Sequence, residues 1–231
     1  MSLELSIVMP AYKEAEALRK LLPSLKCCAA ELTDAYEILV IDAQQPVDET
    51  QAVCQAHGVR HIHRNYGNQY GDAVRTGIEA AGGRFIIFMD ADGSHNPADL
   101  RLLWGQRERY DVVIGSRYVA GGHTENPAIL IFMSWVVNVI FRLAFQLHCK
   151  DVSNSFRLYH AKLLKPLHLH CHNFDIVEEL LILLSGCRIG EVAVTFERRK
   201  AGQSKRKLLL FALGYAWTLM RLLKIKLGSR R

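Results

Sequence analysis

Cysteine is present without pattern. The six cysteines (27, 28, 54, 149, 171 and 187) form no CxxC pair and no disulfide-like rhythm. That excludes a stapled secreted scaffold and reads as reduced, cytosolic-type thiols that mostly fill packing positions. The run His168, His170, Cys171, His172 is rich in metal donors, but ordered ligand spacing is missing elsewhere, so it reads as a solvated loop. No secretory leader is expected either, because acidic Glu4 precedes only a few apolar residues. The most telling lack is of acid. Eleven of the 29 Lys/Arg and none of the 23 Asp/Glu lie from Arg198 onward, so the body carries 18 bases against 23 acids while the tail stands at +11. Such a tail seeks an anionic surface. Its charges alternate with long apolar runs, which suits lipid headgroups and argues against nucleic acid. With half of the 231 residues hydrophobic, disorder is excluded and one substantial domain is expected.

The stretch that organises what is there is Arg84-Phe-Ile-Ile-Phe-Met-Asp-Ala-Asp-Gly-Ser-His-Asn-Pro97. A short β-favouring run, Phe85 to Met89, reads as a buried parallel strand. It ends in two carboxylates, Asp90 and Asp92, which would emerge where open α/β sheets bind ligands. Carboxylates this close repel unless a proton or cation relieves them. A hard divalent cation sharing phosphate oxygens is the natural partner. The competing reading has these Asp residues cap a helix starting near Pro97.

The rest of the first half alternates strand and helix. Strands are expected at Leu5 to Pro10, Tyr36 to Asp42, Val59 to Ile62 and Asp111 to Ser116. Helices are expected from Glu14 to Glu31, Val47 to His57, the loop after Asn65 to a glycine cap at Gly82-Gly83, and Ala98 to Arg109. This predicts an α/β fold with a parallel-rich sheet, with Asp42, Asp90 and Asp92 along one edge.

Six motifs then fall in order: Pro10-x-Tyr12-x-Glu14, Asp42 after its strand, Asp90-Ala91-Asp92, Gly115-Ser-Arg117, Asp151-x-Ser-x-Ser-Phe156-Arg157 and Gly202-x-Ser204-Lys205. Together they resemble the family 2 glycosyltransferases, in particular the polyprenyl-phosphate sugar transferases of the dolichol-phosphate mannose synthase group, over roughly residues 4 to 207. The resemblance implies a GT-A fold with a mixed, mostly parallel sheet. It also implies inverting, Mg²⁺- or Mn²⁺-dependent transfer from a nucleotide sugar (GDP-mannose or a UDP-hexose) to a polyprenyl phosphate. The domain would cover 1–207, with an interfacial helical insertion at about 127–148, and residues 208–231 would form a basic, apolar membrane-associating helix.

By that resemblance Pro10, Tyr12, Glu14, Asp42, Gly71 and Ala91 would line the nucleotide pocket, while Asp90, Asp92 and Ser94 would hold the metal. Arg117, Arg157, Arg199, Lys205 and Ser134 would meet phosphates, with Asp92, Arg117 and Lys205 closest to the chemistry. An acceptor phosphate is already anionic and needs no general base. A hydroxyl acceptor would need one, for which Asp175 is the candidate, although Asp175 reads more readily as a helix N-terminal acid. Two departures stand out. Ala43 replaces the second aspartate usual after the second strand, and the usual Gly-rich turn is reduced to Gln69-Tyr-Gly71-Asp-Ala73. They leave the donor open and motivate the alternative of a non-catalytic sugar-nucleotide-binding or membrane-assembly protein; transfer to a hydroxyl on a glycolipid or glycan is the alternative enzyme reading.

Ile129 to Leu147 is apolar except for Asn138, Arg142 and Gln146, which share one helical face. This predicts a helix lying in the headgroup region at a cytoplasmic membrane face. Leu208 to Leu223, flanked by Lys205-Arg-Lys207 and by Lys224 and Lys226, is a second such stretch.

Overall fold

The computed structural model describes residues 2–197, 217–224 and 226. Its first half is built as the alternation dictates: β1 (Leu5–Pro10), α1 (Ala15–Leu32), β2 (Tyr36–Asp42), α2 (Thr50–Ala56), β3 (Arg60–His63), α3 (Tyr70–Ala80) and β4 (Phe85–Phe88). A 3₁₀ turn at Pro97–Asp99 and the short α4 (Leu100–Gly105) lead into β5 (Val112–Ser116). After β6 (His123–Thr124) come α5 (Ala128–Phe145), β7 (Arg157–His160), α6 (Ala161–Leu164), α7 (Ile176–Leu183), β8 (Ile189–Ala193) and β9 (Thr195–Phe196).

The main sheet has the order β3-β2-β1-β4-β7-β5-β8, with β6 and β9 forming a separate parallel pair. β1 is flanked by β2 and β4, both parallel to it, so the crossovers leave in opposite directions on either side of β1. This is the switch point at which a doubly wound sheet opens a crevice. β7 alone in this sheet runs antiparallel to both its neighbours, pairing Phe88 and Ile114 with Arg157. An antiparallel strand brings its N-terminal end to the edge where parallel strands end. The residues just before β7 therefore meet those just after β4 and β5.

Each face of the sheet carries its own core. On one, Leu18, Leu22 and Leu25 of α1 pack on Ile7, Met9 and Ile87. On the other, Val74 and Ile78 of α3 and the buried side of α7 pack on Val8, Ile41 and Phe88. The apolar runs of β4 (Phe85 to Phe88) and β5 (Val112 to Ile114) are covered on both faces, as their composition requires.

Gly82-Gly83 is not the left-handed cap expected of it. α3 ends at Ala81 in an extended conformation (φ −67°, ψ 126°), and neither glycine has positive φ. Gly83 answers to close approach instead. Its N–H donates to Ser6 Oγ at 2.9 Å, and an added Cβ would sit 2.6 Å from the Ser6 nitrogen and 2.7 Å from the Leu5 carbonyl carbon. Gly82 would meet only the tips of Leu3 and Glu37. Gly83→Ala is therefore expected to cost about 1–3 kcal/mol in urea unfolding followed by circular dichroism, and Gly82→Ala about 0.5 kcal/mol or less.

Candidate active site

β1 delivers the first wall. After Pro10 the chain turns through Lys13, a non-glycine residue at φ 61°, and enters α1, whose first free N–H, that of Ala15, donates to Asp48 Oδ2 at 3.0 Å. The turn leaves the Tyr12 ring 47% exposed with the Arg64 guanidinium 5.8 Å from its centre. Pro10, Tyr12, Glu14, Asp90, Ala91 and Asp92 line one groove of about 270 Å³, as the motifs imply. Ala11, Arg64, Asn68, Tyr70 and Phe174 complete it. Asp92 also borders a second cavity of about 280 Å³, walled by Glu16 and Lys20 of α1, by Asn96 and by Glu197.

Among the described residues, three donate hydrogen bonds to the two carboxylates. Tyr70 donates its hydroxyl to Asp90 Oδ1 at 3.2 Å, and Ser155 donates to Oδ2 at 3.0 Å. The Asp90 N–H donates to His95 Nδ1 at 3.1 Å, which leaves Nε2 of that ring to donate to Asn154 Oδ1, also 3.1 Å away. Ser94 donates both its N–H (3.0 Å) and its hydroxyl (2.6 Å) to Asp92 Oδ1. Ser94 is fully buried and lines neither cavity, so it orients Asp92; the expected role as third metal ligand is corrected accordingly. Asn96, not either aspartate, caps the following turn by accepting from the Ala98 N–H. Burial, then the Asp90 charge, holds the Tyr70 phenol well above its usual range, so its oxygen stays a donor.

The groove sets Glu14, Asp90 and Asp92 against Arg64, whose guanidinium is shared among the carbonyls of Ala11, Asn68 and Gln69. Such an acidic groove admits a diphosphate only alongside a cation. Its paired, pre-oriented carboxylate oxygens are the hard donors that Mg²⁺ and Mn²⁺ take, so the residues fit that ion. Among the described residues no three His, Cys, Asp or Glu converge on a metal site. The His168–His172 run is dispersed: His172 pairs with Asp72 (3.2 Å), and His170 lies by Glu179 (3.4 Å).

Several expected site residues do other work. Asp42 is 1% exposed and lies outside the groove lining; it accepts from the Ala43 N–H at 2.7 Å and faces His61 Nε2 at 3.1 Å. Gly71 touches its own chain: its N–H donates to the His172 carbonyl at 2.7 Å, and a Cβ would strike that segment. Arg157 is fully buried, donating to the carbonyls of Val177 and Val152, so it braces the core and meets no phosphate. Arg117 presents its Nε/Nη2 edge to Asp151 at 2.8 and 2.7 Å, which removes the fork that would have matched a phosphate. It also donates to Ser153 Oγ, which lies 3.2 Å from Ser134 Oγ. Asp175 sits at the start of α7, accepting from the Asn173 N–H and lying 3.8 Å from Arg221; its neighbour Phe174 reaches the groove instead. Arg199 and Lys205 lie outside the described residues, as does 208–216 of the second apolar stretch.

Arg64 and Tyr70 escaped the sequence reading, though one signal for Arg64 was there. β3 pairs with β2 so that Asp42 faces His63, which places residue 64 at the binding edge.

The profile of the family described as glycosyl transferase family 2 matches residues 6–167, more than half of the chain. The chain belongs to that family. An undecaprenyl-phosphate mannosyltransferase from Micrococcus luteus is 31% identical over 213 residues, 86% of this chain and 85% of that protein. A dolichol-phosphate mannosyltransferase from Pyrococcus furiosus is 30% identical over 212 residues, 89% of this chain, which spans 60% of that relative's length. The fold matches glucosyl-3-phosphoglycerate synthase from Mycobacterium tuberculosis, solved with Mn²⁺ and UDP, at a TM-score of 0.71 and 19% identity, over 97% of this chain and 80% of that one. The architecture of this family 2 glycosyltransferase is accordingly GT-A.

Behind the groove, Glu178 of α7 is fully buried, and among the described residues neither carboxylate oxygen has a hydrogen-bond partner. Burial pushes its pKa from 4.5 to about 8, the Arg157 charge offsetting only part of the effect. The folded protein therefore keeps a proton that the unfolded chain loses. Stability from this group is full below about pH 4.5 and drains away as pH rises toward 8. Glu178→Gln, neutral at every pH, is expected to melt about 5 °C above wild type at pH 9 and close to it at pH 4.5, by scanning calorimetry.

Proposed function

We propose that the protein transfers a hexose from a nucleoside-diphosphate sugar to a polyprenyl phosphate, with a divalent cation, at a membrane surface. The observation that carries this reading is a single loop, Asp151 to Ser155, joining the acidic groove to an outward-facing apolar helix. Ser155 holds Asp90, Asn154 holds His95, Asp151 and Ser153 hold Arg117, and the Val152 N–H donates to Asn138 of α5 at 2.8 Å. Nucleotide chemistry and a lipid-compatible surface thus share one rigid support. The names of the Micrococcus and Pyrococcus relatives favour the same acceptor class.

Tyr12 would support the base, and Asp90 and Asp92 would hold the cation. When bound, that ion neutralises the departing diphosphate. The acceptor phosphate, anionic already, attacks the anomeric carbon from the side opposite the leaving group, which inverts the configuration. The protein's part is alignment and water exclusion. The engagement of Asp175 with its own turn and with Arg221 favours this base-free route over a hydroxyl acceptor.

α5 is long and apolar enough to cross a membrane by length and composition, yet only 22% of it is buried. Val137, Asn138, Phe141 and Phe145 dock its C-terminal half, leaving Ile129, Phe132, Trp135 and Leu143 exposed. A helix fastened along its side to the domain suits the headgroup layer, with Trp135 at the interface. The basic flanks of the second apolar stretch favour the anionic cytoplasmic leaflet.

The test offers labelled GDP-mannose, UDP-glucose and UDP-N-acetylglucosamine in turn with undecaprenyl or dolichyl phosphate and Mn²⁺. Label should enter the organic phase with one donor, fall by about a hundredfold or more in Asp92→Asn, and stay within about threefold in Asp175→Asn. Nucleotide binding without lipid product, or transfer that collapses in Asp175→Asn, would replace the polyprenyl phosphate by another acceptor.

A further inference from the structure

We propose that His95 is a positioning residue for the cation: its ring forms a last rung between β4 and the loop before β7, and so sets the main chain from which Asp90 and Asp92 leave the strand. The inference rests on the metal-dependent reading above and goes beyond it in tying the ion's affinity to a side chain outside the Asp-Ala-Asp motif.

Strand periodicity explains the rung. The N–H groups of Phe85 and Met89 donate on the β1 side, to the Glu4 and Val8 carbonyls. Alternate N–H groups of a strand point to opposite neighbours, so those of Phe88 and Asp90 point toward β7. The pairing of β4 with β7 stops at Phe88, opposite Arg157. The next N–H on that side, that of Asp90, donates to His95 Nδ1 at 3.1 Å. The ring comes within reach because the chain turns back through Gly93 at φ 78°, a conformation glycine adopts at little cost.

Each link of the rung has a defined polarity. A main-chain N–H can only donate, so Nδ1 accepts and Nε2 carries the ring's proton. Nε2 donates to Asn154 Oδ1 at 3.1 Å. The same amide donates through Nδ2 to the Gly115 carbonyl, which keeps its oxygen turned to the ring, and the Asn154 N–H donates to Asp151 Oδ1 at 3.2 Å. His95 and Asn154 are 1% and 2% exposed, so water does not compete for these bonds. The imidazole stacks on Phe156 (4.8 Å, planes 16° apart) and meets Phe196 edge-on (5.4 Å, 78°). Its own main chain bridges to Phe196, and the Glu197 N–H donates to the Ser94 carbonyl at 2.9 Å. One residue thus ties the aspartate turn to β4, to the loop before β7 and to β9.

His95 lines the second cavity and not the groove, so its part is indirect. It acts on the main chain of Asp90, whatever else the carboxylate touches. A buried histidine that only filled space could be exchanged for another ring of similar size. A rung could not, because the nitrogen facing Asp90 matters.

Support of this kind typically changes metal affinity by about tenfold or more. The experiment titrates Mn²⁺ alone into the full chain in detergent, reads free Mn²⁺ by electron paramagnetic resonance, and records the melting temperature of each variant. His95→Phe keeps a stacked ring and removes both nitrogens. His95→Asn keeps an acceptor near the Nδ1 position, and His95→Gln reaches toward Asn154 without one. The expected result is Mn²⁺ binding about tenfold weaker in His95→Phe and His95→Gln but within about threefold of wild type in His95→Asn, whatever the order of the melting temperatures. Mn²⁺ affinity within twofold of wild type in folded His95→Phe would overturn the inference and leave the proposed function standing. So would equal losses in His95→Asn and His95→Gln, a comparison that decides the matter even where His95→Phe does not fold. Failure of the wild-type protein to bind Mn²⁺ would bring down the metal reading and this inference together.

Discussion

Two carboxylates one residue apart at the end of a buried strand cannot sit there without support. Asp92 is almost wholly buried and Asp90 partly so, and each like charge raises the cost of the other. The surrounding fold answers that cost with oriented donors: Ser94 on Asp92, Tyr70 and Ser155 on Asp90, and the His95 ring accepting from the Asp90 main chain. The reversal of β7 makes part of this possible. Had that strand run parallel to β4 and β5, the residues preceding it would lie at the opposite edge of the sheet. Asn154 and Ser155 could then not have reached His95 and Asp90.

The same loop explains why Arg117 lies close to the reaction edge without presenting its fork there. Asp151 takes both Nε and Nη2, and Glu191 fixes the loop's own start. A charge held this firmly contributes to the field in the groove more than to direct grip, because its strongest hydrogen-bonding edge is already matched. On the function proposed above, charge neutralisation of the phosphates would fall to the cation and to basic residues of the sequence motif around Lys205.

Much of this was readable in the chain. The alternation of short apolar runs with helical spacing led to β1, β2, β4 and β5 in their places, and the Asp-Ala-Asp motif led to the groove. Those features are local: period, length and a charge ending a run. What escaped was non-local. Arg157 sits in a motif beside serines, and from sequence it is indistinguishable from a phosphate ligand. Only the pairing of β7 with Phe88 and Ile114 turns its side chain into the core, toward the Val177 carbonyl. Gly71 looks like a phosphate-loop glycine and is in fact required by the segment at Cys171 and His172, a hundred residues away. Asp42 ends its strand as anticipated, but the neighbouring strand brings His61 against it. In each case chemistry was legible and direction was not.

Direction matters most for α5. Its polar positions, Asn138, Arg142 and Gln146, share one face of a helix expected from the sequence to lie in the headgroup region. The structure turns Asn138 inward, where it is 2% exposed and accepts from the Val152 N–H. Ser134, one turn earlier, reaches the same loop. Asn138 and Ser134 therefore fasten the helix to the active-site loop, and apolar faces remain outside. This inverts the ordinary amphipathic logic of a globular protein, in which a helix buries its greasy side. An outward row including Phe132, Trp135 and Leu143 is costly in water, and the fastening leaves it no core to enter. Such a row suits contact with an apolar surface. On the function proposed above, a lipid surface meeting that row would sit at a distance from Asp90 set by the loop between them, so the acceptor's tail and its phosphate would be measured out by the same few hydrogen bonds.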